Sequence, residues 1–280
     1  MKPTYNLLIA LDSSADHVTL KSIAIASVPL KIITTVKEYV DDASLDVDQM
    51  VDELEAYSGK SGSACPSPAD WLNAFGDCER IFCITITSGL SGSYNSACVA
   101  KAEYEQAHPE RKVCVIDSLS AGPELKLIAE KIDEMLGGGM DYDTVCKEIA
   151  EYQKHTGLLF MLRCVKNLAN NGRINPLVAK IVGLLGIRIV GKASEKGILA
   201  PLEKPRGDKK ALISLYAQMK KQGYSGGKVR IGHCRNEAAV KELCGYIKAE
   251  FPMADIEHYR LRALCSFYAE DGGLLIGYEH

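Results

Sequence analysis

The apolar run Arg80-Ile81-Phe82-Cys83-Ile84-Thr85-Ile86 leads straight into Thr87-Ser88-Gly89-Leu90-Ser91-Gly92-Ser93-Tyr94-Asn95-Ser96-Ala97, and this junction constrains the fold more than any other part of the chain. Residues 80–86 read as a buried strand, and the small hydroxyl and glycine residues after them read as a turn that opens a helix. Another strand-to-turn stretch, Val113-Cys114-Val115-Ile116-Asp117-Ser118, follows soon afterwards, so the segment predicts a parallel βαβ unit. In open α/β sheets ligands bind beyond the carboxyl ends of the strands, which is where this turn falls. Gly89 and Gly92 permit close backbone approach, Ser88, Ser91 and Ser93 supply hydroxyls, and a helix start directs N–H groups and the positive dipole end outward. The turn therefore reads as a cradle for a carboxylate or phosphate, with the plainer reading, serines that only cap a helix, standing beside it.

The remaining patterning extends the α/β alternation. Residues 6–11 predict a strand that ends in the polar loop Asp12-Ser13-Ser14-Ala15-Asp16, a second candidate site wall; residues 28–36 predict another strand, and residues 45–57 an amphipathic helix. Residues 59–68, rich in Gly, Ser and Pro, read as a loop before a helix that starts near Ala69. Helices are expected over 124–136 and 143–154, with Gly137-Gly138-Gly139 as the stop between them. A second series follows: a strand at 158–161, a helix at 165–169, a turn at 170–176 carrying an exposed Arg173, and a helical or apolar-packed stretch at 177–185. Short strands at 187–190 and 198–199 flank the turn Glu195-Lys196-Gly197, and helices at 209–223 and 237–251 alternate with strands at 229–234, 255–259 and 274–278. The fold class is α/β: an N-terminal domain over 1–155 with a mostly parallel sheet, a C-terminal α/β domain over 156–280 that includes a hairpin, and a binding place between them.

Composition removes several functions. A chain of 280 residues, 47% hydrophobic and 25% charged, can bury two cores. A net charge of -3 without a basic stripe argues against nucleic acid. Lys31, Lys37, Lys126, Lys131, Lys209, Lys210, Lys220 and Lys221 are dispersed and read as solvated helix faces. The ten cysteines lie mostly in apolar runs without a Cys-x-x-Cys pair, and Met1-Lys2-Pro3-Thr4-Tyr5 carries no signal peptide, so buried free thiols in a reducing cytoplasm are expected. The six histidines show no metal-binding spacing, and no apolar run is long enough for stable membrane insertion. Ser91 lacks the Gly-x-Ser-x-Gly context of a hydrolase nucleophile, and no Gly-x-x-x-x-Gly-Lys-Ser/Thr loop is present. No catalytic residue, metal or cofactor is assigned.

Taken together, the loop at 12–16, Ser63-Ala64-Cys65-Pro66-Ser67, the stretch 87–97, Asn171-Gly172-Arg173-Ile174, Leu184-Leu185-Gly186-Ile187-Arg188 and Lys204-Pro205-Arg206-Gly207 resemble the DegV family of bacterial fatty-acid-binding proteins, which includes the lipid carriers of the fatty acid kinase system. The resemblance spans nearly the whole chain and implies a non-catalytic, lipid-binding protein. It places a long-chain fatty acid in an apolar tunnel between two α/β domains, with the carboxylate held by hydroxyls and backbone N–H groups and available to a separate fatty acid kinase subunit. Ser91 and Gly92 match the family's serine and glycine, with Ser93 beside them; Ser63 matches a threonine, whereas Ala64 and Cys65 depart from the pattern. Tyr268, in the stretch from Phe267 to Gly273, stands where many relatives have a histidine, and a phenol donates a hydrogen bond but cannot become cationic. Arg173 and Arg206 match arginines that in kinase-linked relatives lie toward the head-group end and help dock the kinase. The competing reading is an enzyme that acts on a phosphorylated or carboxylated small molecule at the same loop.

Overall fold

The structure is a computed structural model that describes residues 6–179, 182 and 186–280. The first half runs through strands β1 (Leu7–Asp12), β2 (Ala24–Val28), β3 (Lys31–Thr34) and β4 (Glu38–Val40), helix α1 (Val47–Ala56), β5 (Ser61–Ala64), α2 (Pro68–Phe75), β6 (Arg80–Thr85), α3 (Ser93–Ala107), β7 (Lys112–Asp117), α4 (Pro123–Gly137) and α5 (Tyr142–Tyr152). The second contains β8 (Thr156–Leu162), α6 (Lys166–Asn170), α7 (Pro176–Ala179), β9 (Ile189–Ala193), β10 (Leu199–Glu203), α8 (Asp208–Lys221), β11 (Val229–His233), α9 (Glu237–Glu250), β12 (Ile256–Arg260), α10 (Ala263–Ala269) and β13 (Leu274–Glu279).

Strands β2-β1-β6-β7 form a sheet in which every pair is parallel, so both faces must be covered and the strands read as continuous apolar runs. Alternate residues divide between two cores: Leu8, Ala10, Ile81 and Cys83 pack with Trp71, Phe75 and Ala97 of α2 and α3. Ile9, Leu11, Phe82 and Ile84 pack with Leu125, Ile128 and Val145 of α4 and α5. The second sheet, β10-β9-β8-β13-β11-β12, is antiparallel except for the β11–β12 pair. One of its faces packs Leu159, Met161, Ile231 and Ile276 against Leu212, Leu215 and Leu243 of α8 and α9.

Helix α4 joins the halves, and its sequence explains how. Leu125, Ile128, Ala129 and Ile132 face the parallel sheet, while Lys126, Glu130 and Glu134 recur at four-residue spacing on another side. That second stripe meets the other sheet: Lys126 Nζ lies 2.6 Å from Glu257, Arg230 NH2 lies 2.8 Å from Glu130, and Lys228 pairs with Glu134. The expectation that Lys126 is solvated is thus corrected: it is buried, because the partner sheet covers it and supplies Glu257. At the helix start the sheet approaches so closely that only glycine fits. A Cβ on Gly277 would lie 2.7 Å from Glu124 N and 2.8 Å from Pro123 O.

Other departures have local causes. The strand expected over 28–36 is divided, because Pro29 separates β2, in the parallel sheet, from β3, in a small antiparallel sheet of order β4-β3-β5. Leu30 N turns aside to bond Ser13 Oγ at 2.9 Å. The loop expected over 59–68 contains β5, whose backbone is satisfied by pairing with β3 at Lys31–Ala64 and Ile32–Ser63. Helix α10 has no counterpart in the sequence reading, so Tyr268 sits on a helix rather than in a turn. Of the stretch expected as helical over 177–185, residues 180, 181 and 183–185 lie outside the described residues, as do Leu184 and Leu185 of the family motif. All ten cysteines are free, but only Cys83, Cys234 and Cys265 are buried; the others are partly accessible, and Cys65 is exposed. Among the described residues no helix is long and apolar enough to cross a membrane.

A buried acidic contact also ties the halves together. Asp16 accepts the backbone N–H of Arg262 at 2.7 Å, and its other oxygen is buried without a hydrogen-bond partner among the described residues. Burial, together with the nearby Asp41 carboxyl, pushes Asp16 up to about 8; burial pushes Glu124 up to about 7. Each group keeps in the folded state a proton that the unfolded chain has released by near-neutral pH. Their contribution is therefore complete below the ordinary carboxylate range and is lost as pH rises toward 8. The expected result is a denaturant midpoint that falls between pH 5 and 8.5, less steeply in Asp16→Asn, which keeps an acceptor for Arg262 and carries no charge. Parallel slopes in the two proteins would exclude Asp16 as the titrating group.

Candidate functional site

Ile86, which follows the carboxyl end of β6, and residues of the second sheet line one cavity of about 310 Å³, within the range of small-molecule sites. Its walls come from both halves. Leu158, Phe160 and Leu162 occupy alternate positions of β8 and so share one sheet face, and Leu275 stands opposite Phe160 on β13. Leu30, Ile86 and Leu90 of the first half and Leu168 and Leu264 of the second complete an apolar lining.

Polar groups gather at one region of this cavity. Ser63 of β5 and Tyr268 of α10 approach across it, and their hydroxyl oxygens are 2.7 Å apart. The antiparallel register that opposes Ser63 to Ile32 fixes the first; the Tyr268 ring is held edge-on to Phe267 at 4.8 Å between centroids. Ser91 and Gly92 line the same cavity at the start of α3. Gly92 is the N-cap and has no side chain to offer the first turn, whose leading amides lack partners within the helix. Ser91 Oγ accepts Ser93 N at 3.2 Å, so the capping reading also holds for this serine. A Cβ at Gly92 would sit 3.2 Å from Cys65 Sγ, a tight contact that a small shift of the thiol relieves.

Arg173 lines the cavity too. Its guanidinium donates to the Asn171 carbonyl and has no carboxylate within ion-pair distance among the described residues. A cation in the lining of a leucine-rich space that also carries two hydroxyls and a helix start makes the cavity complementary to an apolar molecule with an anionic group.

The structure therefore brings together Ser63, Ser91, Gly92 and Tyr268, and adds Arg173, which the sequence reading assigned to partner docking. Ser93 is placed differently. It is fully buried, does not line the cavity, and donates its hydroxyl to Asp12 Oδ2 at 2.6 Å. Asp12 also accepts Ile86 N at 2.8 Å and both donors of Ser14, so the loop at 12–16 braces the site from behind and forms none of its wall. Burial raises the Asp12 carboxyl, and these donors work against that rise. Arg206 is exposed, away from the cavity, in an isolated bridge with Ile187. His233 is buried and accepts Asn236 N at 3.2 Å. The leucine face of β8 was missed because Leu158-Leu159-Phe160-Met161-Leu162 is apolar at every position; only its alternate residues, taken with the core behind them, separate lining from packing. Among the described residues no cluster of His, Cys, Asp and Glu is placed to hold a metal ion.

Fold and site together define a two-domain α/β binding protein whose cavity suits an apolar molecule with one anionic end. The chain belongs to the DegV family, whose sequence profile matches residues 6–279. A DegV domain-containing protein of Streptococcus pneumoniae strain ATCC BAA-255 / R6 is 47% identical over 275 residues, which cover 97% of this chain and 98% of the relative. The crystal structure of the Streptococcus pneumoniae Fatty Acid Kinase (Fak) B3 protein loaded with linoleic acid is similar to this chain at a TM-score of 0.96 and 46% identity, covering 98% of this chain and 99% of that one. A DegV family protein from Eubacterium eligens loaded with heptadecanoic acid is similar at a TM-score of 0.95 and 41% identity, with coverage of 98% and 99%.

Proposed function

We propose that this protein binds a long-chain fatty acid without altering it chemically, holding the carboxylate at Ser63, Ser91, Tyr268 and the start of α3 and burying the acyl chain between the two sheets. The single observation that carries this reading is that one leucine-lined cavity also carries two facing hydroxyls, a helix start and Arg173 in its wall. At roughly 0.8 kcal/mol per buried methylene the chain dominates affinity, and hydrogen bonds to an ionised group, about 1.5–3 kcal/mol each, fix its direction. The Ser63–Tyr268 contact supports the same view: a carboxylate that accepts from both hydroxyls exchanges their mutual bond for two charge-assisted ones. An enzyme acting on a small phosphorylated molecule is a weaker fit, because such a substrate leaves the apolar walls without an occupant.

Exposed Arg206 is free to meet a kinase subunit in the manner the family resemblance suggests, while Arg173 serves the carboxylate first. A cytoplasmic carrier role goes with that reading.

Native mass spectrometry of the purified protein, followed by organic extraction, tests the proposal. A stoichiometric fatty acid is expected. Protein that is free of lipid and also refuses added fatty acid would sink it. In the folded Ser63→Ala/Ser91→Ala double variant, fatty-acid affinity should drop about 100-fold or more, the worth of two hydrogen bonds to a carboxylate. Unchanged affinity would remove these hydroxyls from the assignment.

A further inference from the structure

Gly191 of β9 stands opposite Phe160 of β8 in the antiparallel register, and the phenyl ring lies across it. A Cβ at position 191 would be 2.4 Å from the ring's Cζ and 2.6 Å from Cε2, distances no real contact adopts. A glycine inside a strand weakens it and marks a place where something approaches the backbone closely; here that something is the ring. Phe160 is fully buried and borders the cavity, whereas Gly191 is not among the residues that line it. The ring thus occupies the space that a side chain at 191 would fill, instead of standing up into the cavity.

We infer that Gly191 sets the depth of the cavity, and with it the length of acyl chain accepted, by letting the Phe160 ring lie flat on the sheet. This rests on the fatty-acid reading above. With a methyl group at 191 the ring must rotate away from β9. The same Cβ would also lie 2.7 Å from the Ala200 carbonyl oxygen of β10, and on the other side of β8 Leu275 is the register partner of Phe160. In a close-packed interior the volume left for the ring is the cavity itself. A ring that enters it displaces the methylenes of a chain that reaches Phe160 and leaves alone a chain too short to reach it, so the loss grows with chain length.

The test is the affinity of the delipidated protein for saturated fatty acids of about 12 to 20 carbons, where each methylene excluded costs roughly fourfold. In Gly191→Ala the longest chains should lose about tenfold or more while the shortest keep their affinity, and Phe160→Leu added to Gly191→Ala should restore the long chains. An unchanged ranking in the folded variant, or a loss equal at all lengths, would overturn the inference. So would a loss that Phe160→Leu fails to restore, because the effect would then lie at the Ala200 carbonyl. Should Gly191→Ala fail to fold, Phe160→Leu alone decides: a relative gain for the longer chains supports the inference, and an unchanged ranking overturns it. Wild-type protein that takes up no fatty acid overturns the functional reading itself and this inference with it, whereas normal wild-type uptake with an indifferent Gly191→Ala overturns this inference alone.

Discussion

Gly277→Ala should lower the stability of the protein by about 3 kcal/mol or more, the upper part of the range for overpacking a buried site. The position leaves no soft neighbour to move: the new Cβ would press on Glu124 N, Pro123 C and Pro123 O, all backbone atoms at the start of α4. A side chain in the way could change rotamer, but a helix start fixed in two cores cannot. Relief requires α4 to lift off β13, and that movement also strains the pairs Lys126–Glu257 and Arg230–Glu130. Those charges are buried on the basic side, so loosening them without full hydration adds to the cost. Denaturant unfolding followed by circular dichroism measures the effect. A loss below about 1 kcal/mol would mean that the two sheets slide past one another more freely than the helix contact allows.

Asp12→Ala should cost about 3–5 kcal/mol, because it strands several buried donors at once. Ile86 N, Ser14 N and the hydroxyls of Ser14 and Ser93 all converge on this one carboxylate, which has no exposure to water. The hydroxyls can turn toward other acceptors; the Ile86 amide cannot. Asp12→Asn keeps one acceptor oxygen and should lose less. The damage extends to the site, since Ser93 is the first residue of α3 and is followed backwards by Gly92 and Ser91 at the cavity. In whatever fraction of Asp12→Ala remains folded, fatty-acid affinity should fall although Asp12 touches no ligand. Equal affinity in folded variant and wild type would show that Ser91 is positioned without it.

The parallel sheet and the turn that opens α3 were legible because both are local. A strand buried on two faces must be apolar throughout, and a turn that ends it with glycine and serine announces itself, so residues 80–97 could be interpreted from their own pattern. What escaped was set by distant partners. Residues 61–64 have no strand signature of their own and become β5 because β3 offers a free edge. Lys126 has the composition of a solvated face and is covered because Glu257 stands 131 residues away on the other sheet. Arg173 was assigned to docking because it matches a family arginine, and its turn suggested a solvated side chain, yet the fold makes Arg173 part of the cavity lining. Ser93 looked equivalent to Ser91; a helical start separates them, aiming one at the cavity and the other at Asp12.

Because α4 is clamped between the two sheets, the expected behaviour is that the walls of the cavity hold their spacing whether or not anything lies between them. Calorimetry on such a site has a simple expected form: the heat capacity change of binding should scale with the apolar surface of the ligand alone, growing by a constant step for each added methylene. A protein that had to close around its guest would add a large fixed decrement from its own newly buried surface, the same for every chain. The intercept of heat capacity against chain length is then a direct reading of how much of this molecule moves when it loads, and the docking of Gly277 on the first turn of α4 places that intercept near zero.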